Sequence, residues 1–166
     1  MARLCTFFFP QANDFEEITS FVEEAARMYG LTVTHFKTDF KAGLETLIRD
    51  RGIRAMVLGT RFGDPNAAGQ AYFCPSSEGW PPFMRVNPVI DWSYSEVWRF
   101  LTLGRGLPYC RLYDAGYTSV GNTKDTVPNS HLANGDGTYR PAHELVEESQ
   151  ERAGRIDKKK NGSQNK

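Results

Sequence analysis

Seven residues, Gly59 to Pro65 (GTRFGDP), carry the first concentration of chemistry along the chain. They follow an apolar run, Ile53–Leu58, that suits a central parallel strand, and open α/β sheets bind ligands where such strands end. Gly59 and Gly63 permit tight backbone, Arg61 can reach a phosphate, and Asp64 can hold a metal ion or a hydroxyl. The same residues equally describe a strand–loop junction with a surface Arg–Asp pair worth little. A second concentration runs from Gly79 to Leu101 (GWPPFMRVNPVIDWSYSEVWRFL) and holds all three tryptophans. Pro81 and Pro82 fix the backbone and remove two amide donors, so Trp80–Phe83 is expected to be a rigid, extended loop. A stiff Trp80–Arg85 segment, offering an aromatic and an arginine, suits a flat, charged ligand.

These residues must be held by regular elements, and the apolar spacing says which. Leu4–Phe9 reads as a buried strand ended by Pro10. A helix opens at Asp14 with Glu16 and Glu17 in its first turn, as the helix dipole prefers. Phe15, Ile18, Phe21, Val22, Ala25 and Met28 mark one face of it, and Gly30 closes it. Leu31–Phe36 alternates as a strand. Phe40–Asp50 returns to helical spacing through Leu44, Leu47 and Ile48, with Gly52 as the stop. Strand, helix, strand, helix, strand with short links predicts right-handed crossovers and a parallel sheet built from Leu4–Phe9, Leu31–Phe36 and Ile53–Leu58. The chain opens directly on its first strand, so the sheet is expected to lack a neighbour there. Further on, Ser93 is placed to cap a helix with Glu96 at the third position, and Val97, Phe100, Leu101 and Trp98 supply an apolar face. Trp92 and Trp98 read as core.

Composition narrows the partners. Lysine plus arginine and aspartate plus glutamate balance at 20 each, so no global field argues for nucleic acid or a membrane surface. No run approaches the roughly 20 apolar residues of a membrane span. Cys5, Cys74 and Cys110 are odd in number and widely spaced, which fits reduced thiols in a cytoplasmic setting and neither a disulfide scaffold nor a zinc site. At 166 residues the chain suits one domain with a real core. That domain is expected over 1–156, with the polar, basic stretch 157–166 (DKKKNGSQNK) as a disordered tail.

Taken together, GTRFGDP, WPPFMRVNPVIDWSYSEVWRFL, PYCRLYDAGYTSVGNTKDTVPN and ERAGR resemble the eukaryotic-type FAD synthases, FMN adenylyltransferases of the PAPS reductase-like, ATP-pyrophosphatase superfamily. The resemblance runs from Phe7 to Ile156. It implies an α/β fold with a doubly wound parallel sheet, of the adenine nucleotide alpha-hydrolase-like type. It also implies transfer of the AMP of ATP to the phosphate of FMN, with Mg²⁺, and release of pyrophosphate. Carried over residue by residue, Asp64 becomes the magnesium or phosphate-organising carboxylate, with Gly59 and Arg61 near the same phosphates. Trp80, Phe83, Met84 and Arg85 would line the flavin and its phosphate. Arg152 and Arg155, three apart in ERAGR, would share one face of a helical turn, where two guanidiniums suit charge spread over several phosphate oxygens. Without the resemblance, ERAGR reads as a solvated helix end.

The family carries a glycine-rich pyrophosphate loop of the type S-x-G-G-K-D ahead of these motifs, and such a loop cradles phosphates with backbone amides. It does not occur in these 166 residues. The reading is therefore of the family minus its first strand–loop–helix unit, a poor catalyst on its own, with an unpaired strand edge that favours self-association or pairing with a full-length copy. Two other readings stand beside it: a non-catalytic flavin- or partner-binding paralogue, and a sulfonucleotide reductase, which needs a catalytic cysteine. Of the remaining stretches, Tyr109–Val120 suits a loop closing over a site, His131 a structural or surface role, and His143–Glu151 a surface helix.

Overall fold

The computed structural model describes residues 4–104 and 106–156, so the expected tail at 157–166 lies outside the described residues. The first five elements follow the predicted order, and of the regular elements after them only the helix was expected. The elements are β1 (Thr6–Phe8), α1 (Glu16–Met28), β2 (Val33–His35), α2 (Phe40–Arg51), β3 (Ala55–Val57), β4 (Phe73–Pro75), β5 (Met84–Val86) and α3 (Tyr94–Arg99). Beyond α3 the chain continues as a π-helical turn, Phe100–Gly104, and then as short 3-10 turns.

Two compact units divide the chain. Among the described residues, one takes in Phe7–Phe9 and Thr34–Ser93, the other residues 4–6, Pro10–Val33 and 94–156. In the first unit, Asp39 caps α2 by accepting from the amides of Lys41 and Ala42 (3.0 and 3.2 Å). Gly52 ends the helix at φ +64°, a conformation costly for a side chain with a Cβ. Leu44 and Leu47 of α2 are buried, as are Met56 of β3 and Ile90. Gly43 is also required, because a Cβ there would collide with the Phe9 ring.

The sheet differs from expectation in one respect. The three runs read as neighbours fall into two sheets: β1 pairs with β2, whereas β3 belongs to a three-stranded sheet of order β3-β5-β4. β3 runs parallel to β5, as Ala55↔Met84, Met56↔Arg85 and Val57↔Val86. β4 joins the other edge of β5 antiparallel. The new central strand comes out of the stretch read as a stiff loop. Pro81 and Pro82 do keep Trp80–Phe83 irregular, but from Met84 the amides are free to pair, and Met84 N donates to Arg54 O at 2.8 Å.

In the second unit the core is aromatic. Trp98 meets Tyr94, Tyr109 and Tyr113 edge to face with centroids 6.1, 5.1 and 5.4 Å apart, a favoured arrangement. Leu132, Ala142 and Leu145 complete the cluster, and Tyr94 donates to Ala142 O at 2.7 Å. The segment expected as a surface helix over 143–151 is instead two 3-10 turns, Ala142–Glu144 and Glu148–Gln150. Leu145 and Glu147 between the two turns are extended (ψ 115° and 95°), which interrupts a continuous helix.

Candidate functional site

The candidate residues fall into one set in each unit. In the first unit GTRFGDP forms a closed turn after β3. Asp64 N donates to Arg61 O (2.9 Å), and Asp64 Oδ2 accepts from Arg61 N (2.8 Å). Asp64 thus shapes its own loop as well as offering a half-buried carboxylate. Neither Gly59 nor Gly63 has a positive φ, and a Cβ added at either meets nothing within 4 Å. The fold itself does not demand glycine at these positions; what they leave is open backbone.

Trp80 is 40% exposed and packs edge-on against Phe40 (5.9 Å). Arg85 lies over the Phe83 ring at 5.8 Å. Its Nη1 donates to Pro75 O (2.7 Å) and its Nη2 to Ser77 Oγ (3.0 Å), so it ties β5 to β4 and its end. A guanidinium has five donors, and these two bonds leave others for a ligand. Met84 is 41% exposed on β5, and the strand pleat turns its side chain to the face opposite that of Arg85.

In the second unit Arg152 and Arg155 are not on a helix. Arg155 N donates to Arg152 O in a tight turn (2.9 Å), and Arg155 then pairs with Thr126 in an antiparallel bridge. What the two share is the backbone segment that anchors them. Arg152 Nη1 reaches Ser119 Oγ (3.3 Å), and Arg155 Nη2 lies 3.4 Å from Asp125 Oδ1. Below them a buried network fastens the segment. Asn129 Nδ2 donates to Thr118 Oγ1 and Gln150 O (both 2.8 Å), and Thr118 Oγ1 donates to Glu151 O (2.6 Å). Gly121, Asp125 and Asn129 escaped the sequence reading as individuals. They sit within PYCRLYDAGYTSVGNTKDTVPN, but nothing local shows that Asp125 faces an arginine 30 residues further on.

Cys110 is buried, and burial raises its thiol pKa above the ordinary value, which disfavours the thiolate. Among the described residues no group of three or more His, Cys, Asp or Glu is placed to hold a metal ion. Nor is any of their helices long and apolar enough to cross a membrane.

An α/β chain with parallel pairing, a loop at the end of β3 and paired arginines on a glycine-containing segment has a family counterpart. The phosphoadenosine phosphosulfate reductase domain matches residues 40–128, just over half of the chain, and the chain belongs to that family. It is 41% identical over 144 residues to a probable FAD synthase of Schizosaccharomyces pombe, covering 86% of this chain and 54% of that protein. It is 30% identical to the flavin adenine dinucleotide synthase of Saccharomyces cerevisiae, covering 80% and 45%. The chain thus spans about half the length of these curated relatives. Among solved structures, Candida glabrata FMN adenylyltransferase in complex with FMN and the ATP analog AMPCPP superposes with a TM-score of 0.82 at 26% identity, covering 90% of this chain and 68% of that one. The α/β parallel-sheet fold implied by the resemblance is therefore the fold of this chain.

Proposed function

We propose that the chain serves the transfer of AMP from ATP to the phosphate of FMN, giving FAD and pyrophosphate. The observation that carries this reading is the pair Arg152 and Arg155, anchored through Ser119 and Asp125 on one segment, in a chain similar over 86% of its length to a protein named a probable FAD synthase. In such a transfer a phosphate oxygen of FMN bonds to the α-phosphorus of ATP as the bond to the leaving pyrophosphate breaks. Negative charge grows on the departing oxygens, and fixed guanidiniums oppose it without reorganising. Arg152 and Arg155 bind phosphate oxygens in this reading. Trp80, Phe83 and Met84 meet the flavin and Arg85 its phosphate, while Gly59 and Arg61 serve nucleotide phosphates.

Magnesium belongs to the same reading, with Asp64 as its protein ligand. One half-buried carboxylate suits an ion that takes one or two carboxylates and completes its shell with water and substrate phosphates. When bound, the ion neutralises phosphate charge. The alternative of a sulfonucleotide reductase gains little support. The chain is 44% identical to an adenosine 5'-phosphosulfate reductase of Bacillus anthracis over 45 residues only, and Cys110 is buried with its thiolate disfavoured. A cytoplasmic setting and self-association complete the proposal.

The test is ligand binding by the 166-residue chain. FMN fluorescence is expected to fall on binding. Arg85→Ala is expected to weaken FMN by about 1.5–3 kcal/mol, the scale of a hydrogen bond to a charged group. Unchanged affinity in a folded Arg85→Ala chain places the flavin elsewhere.

A further inference from the structure

We infer that Asp125 and Gly121 are a positioning pair that sets the Arg155 guanidinium for phosphate oxygens; the inference rests on the reading of Arg155 given above. Asp125 is itself held from several sides. Its Oδ1 accepts from Asn122 N (3.0 Å) and Thr126 Oγ1 (2.7 Å), and its Oδ2 accepts from Asn122 Nδ2 (2.8 Å). Thr126 Oγ1 in turn accepts from Gly121 N (3.0 Å). A carboxylate with both oxygens engaged by its own loop has little freedom left, so it serves as a fixed post.

Gly121 supplies the floor. Its φ is not positive, so backbone conformation does not demand glycine there. Space does, because an added Cβ would collide with the Arg155 guanidinium and with Asp125 Oδ1. The guanidinium therefore lies directly against the Gly121 backbone. Its own main chain is pinned as well. Arg155 bridges Thr126, Val127 N donates to Gly154 O (2.9 Å), and Ile156 N donates to Asp125 O (2.8 Å). Gly154 permits this approach, since a Cβ there would collide with Val127 O.

The cation is thus fixed at both ends yet not consumed. The Arg155 side chain is 24% exposed, and among the described residues its one ion pair is the 3.4 Å contact with Asp125. Here a half-buried group with five donors lies 3.4 Å from the carboxylate, and among the described residues its side chain makes no hydrogen bond. The donors that its neighbours leave open can meet phosphate oxygens.

The test compares Arg155→Ala, Asp125→Asn, Gly121→Ala and the double variant Asp125→Asn/Arg155→Ala in the full 166-residue chain. Inorganic pyrophosphate binding is read by calorimetry, FMN binding by fluorescence, and folding by thermal melting. Arg155→Ala is expected to raise the pyrophosphate Kd about tenfold, the size of one charge-assisted contact. Asp125→Asn and Gly121→Ala are expected to raise it about three- to tenfold with FMN affinity unchanged, because each acts through the same guanidinium. The double variant is then expected to bind no more weakly than Arg155→Ala. If Arg155→Ala weakens pyrophosphate but Asp125→Asn and Gly121→Ala only lower the melting temperature, or if the effects multiply in the double variant, the positioning role is overturned and the phosphate reading of Arg155 survives. Tighter binding by Asp125→Asn makes the carboxylate a competitor of the ligand and also overturns the role. An unchanged Kd in Arg155→Ala removes Arg155 from the phosphate site, and the inference with it.

Discussion

Cys110 illustrates how burial sets reactivity at a single residue. Its side chain is buried at 3% exposure, and burial is the largest cause raising its thiol pKa, with the charges of Glu17 and Asp114 adding to it. The thiolate is the nucleophile, so Cys110 is expected to resist alkylation by iodoacetamide near neutral pH in the native chain, while the half-buried Cys5 and Cys74 react first. Peptide mapping after a short pulse reads this directly, and early labelling of Cys110 contradicts it. The sign for stability follows from the same shift. The folded state holds the proton more tightly than the unfolded state, so this contribution is complete below the thiol's ordinary range and declines as the pH rises through it. Tyr109, raised by burial and by its bond to Asp114, adds in the same direction at higher pH.

At the scale of elements, α3 depends on a residue far from it in sequence. The amides of Tyr94 and Ser95 point to the Glu148 carboxylate (3.3 and 3.1 Å), an acidic cap delivered from the 3-10 turn Glu148–Gln150. An anion at a helix start satisfies open N–H groups and meets the positive end of the dipole. Glu148→Ala is expected to cost about 0.5–2 kcal/mol, in the range of a lost N-cap. That corresponds to a melting temperature lower by roughly 1–8 °C for a chain of this size. An unchanged melting curve contradicts the assignment. The apolar face read for this helix also shifts. Of the residues read, Trp98 is buried and Leu101 packs against the core, but Phe100 is 54% exposed; Tyr94, four residues before Trp98, completes the inward face in its place.

For the molecule as a whole, the exposed face of the β3-β5-β4 sheet matters most. The registers set Val57, Val86 and Phe73 in one row and Ala55, Met84 and Pro75 in the next, so one face carries six apolar residues. Phe73 is 69% exposed, Val57 65% and Met84 41%. Parallel sheets are usually covered on both faces, and contiguous apolar patches mark interaction surfaces. Concentration-dependent self-association is expected from this face, and Phe73→Lys is expected to reduce it. Sedimentation across a range of concentrations measures it, and a wild-type chain that stays monomeric throughout contradicts the proposal.

Local chemistry determined much of this in advance. Apolar spacing and punctuation by glycine gave α2 within a residue, through Leu44, Leu47 and Gly52, because a helix of that kind is decided by its own side chains. For α1 the same signals held, though Asp14 accepts from Gln11 N just before the helix instead of opening it. Residue order along GTRFGDP, WPPFMR and ERAGR was enough to point to the family. Tertiary structure alone decided which strands lie side by side. Backbone pairing depends on which segments meet in space, so Met84–Val86 became a central strand despite the prolines before it. It also decided what faces each charge. Asp125 and Arg155 are 30 residues apart, Glu148 and Tyr94 are 54 apart, and no local pattern encodes a contact made only when distant segments are folded against one another.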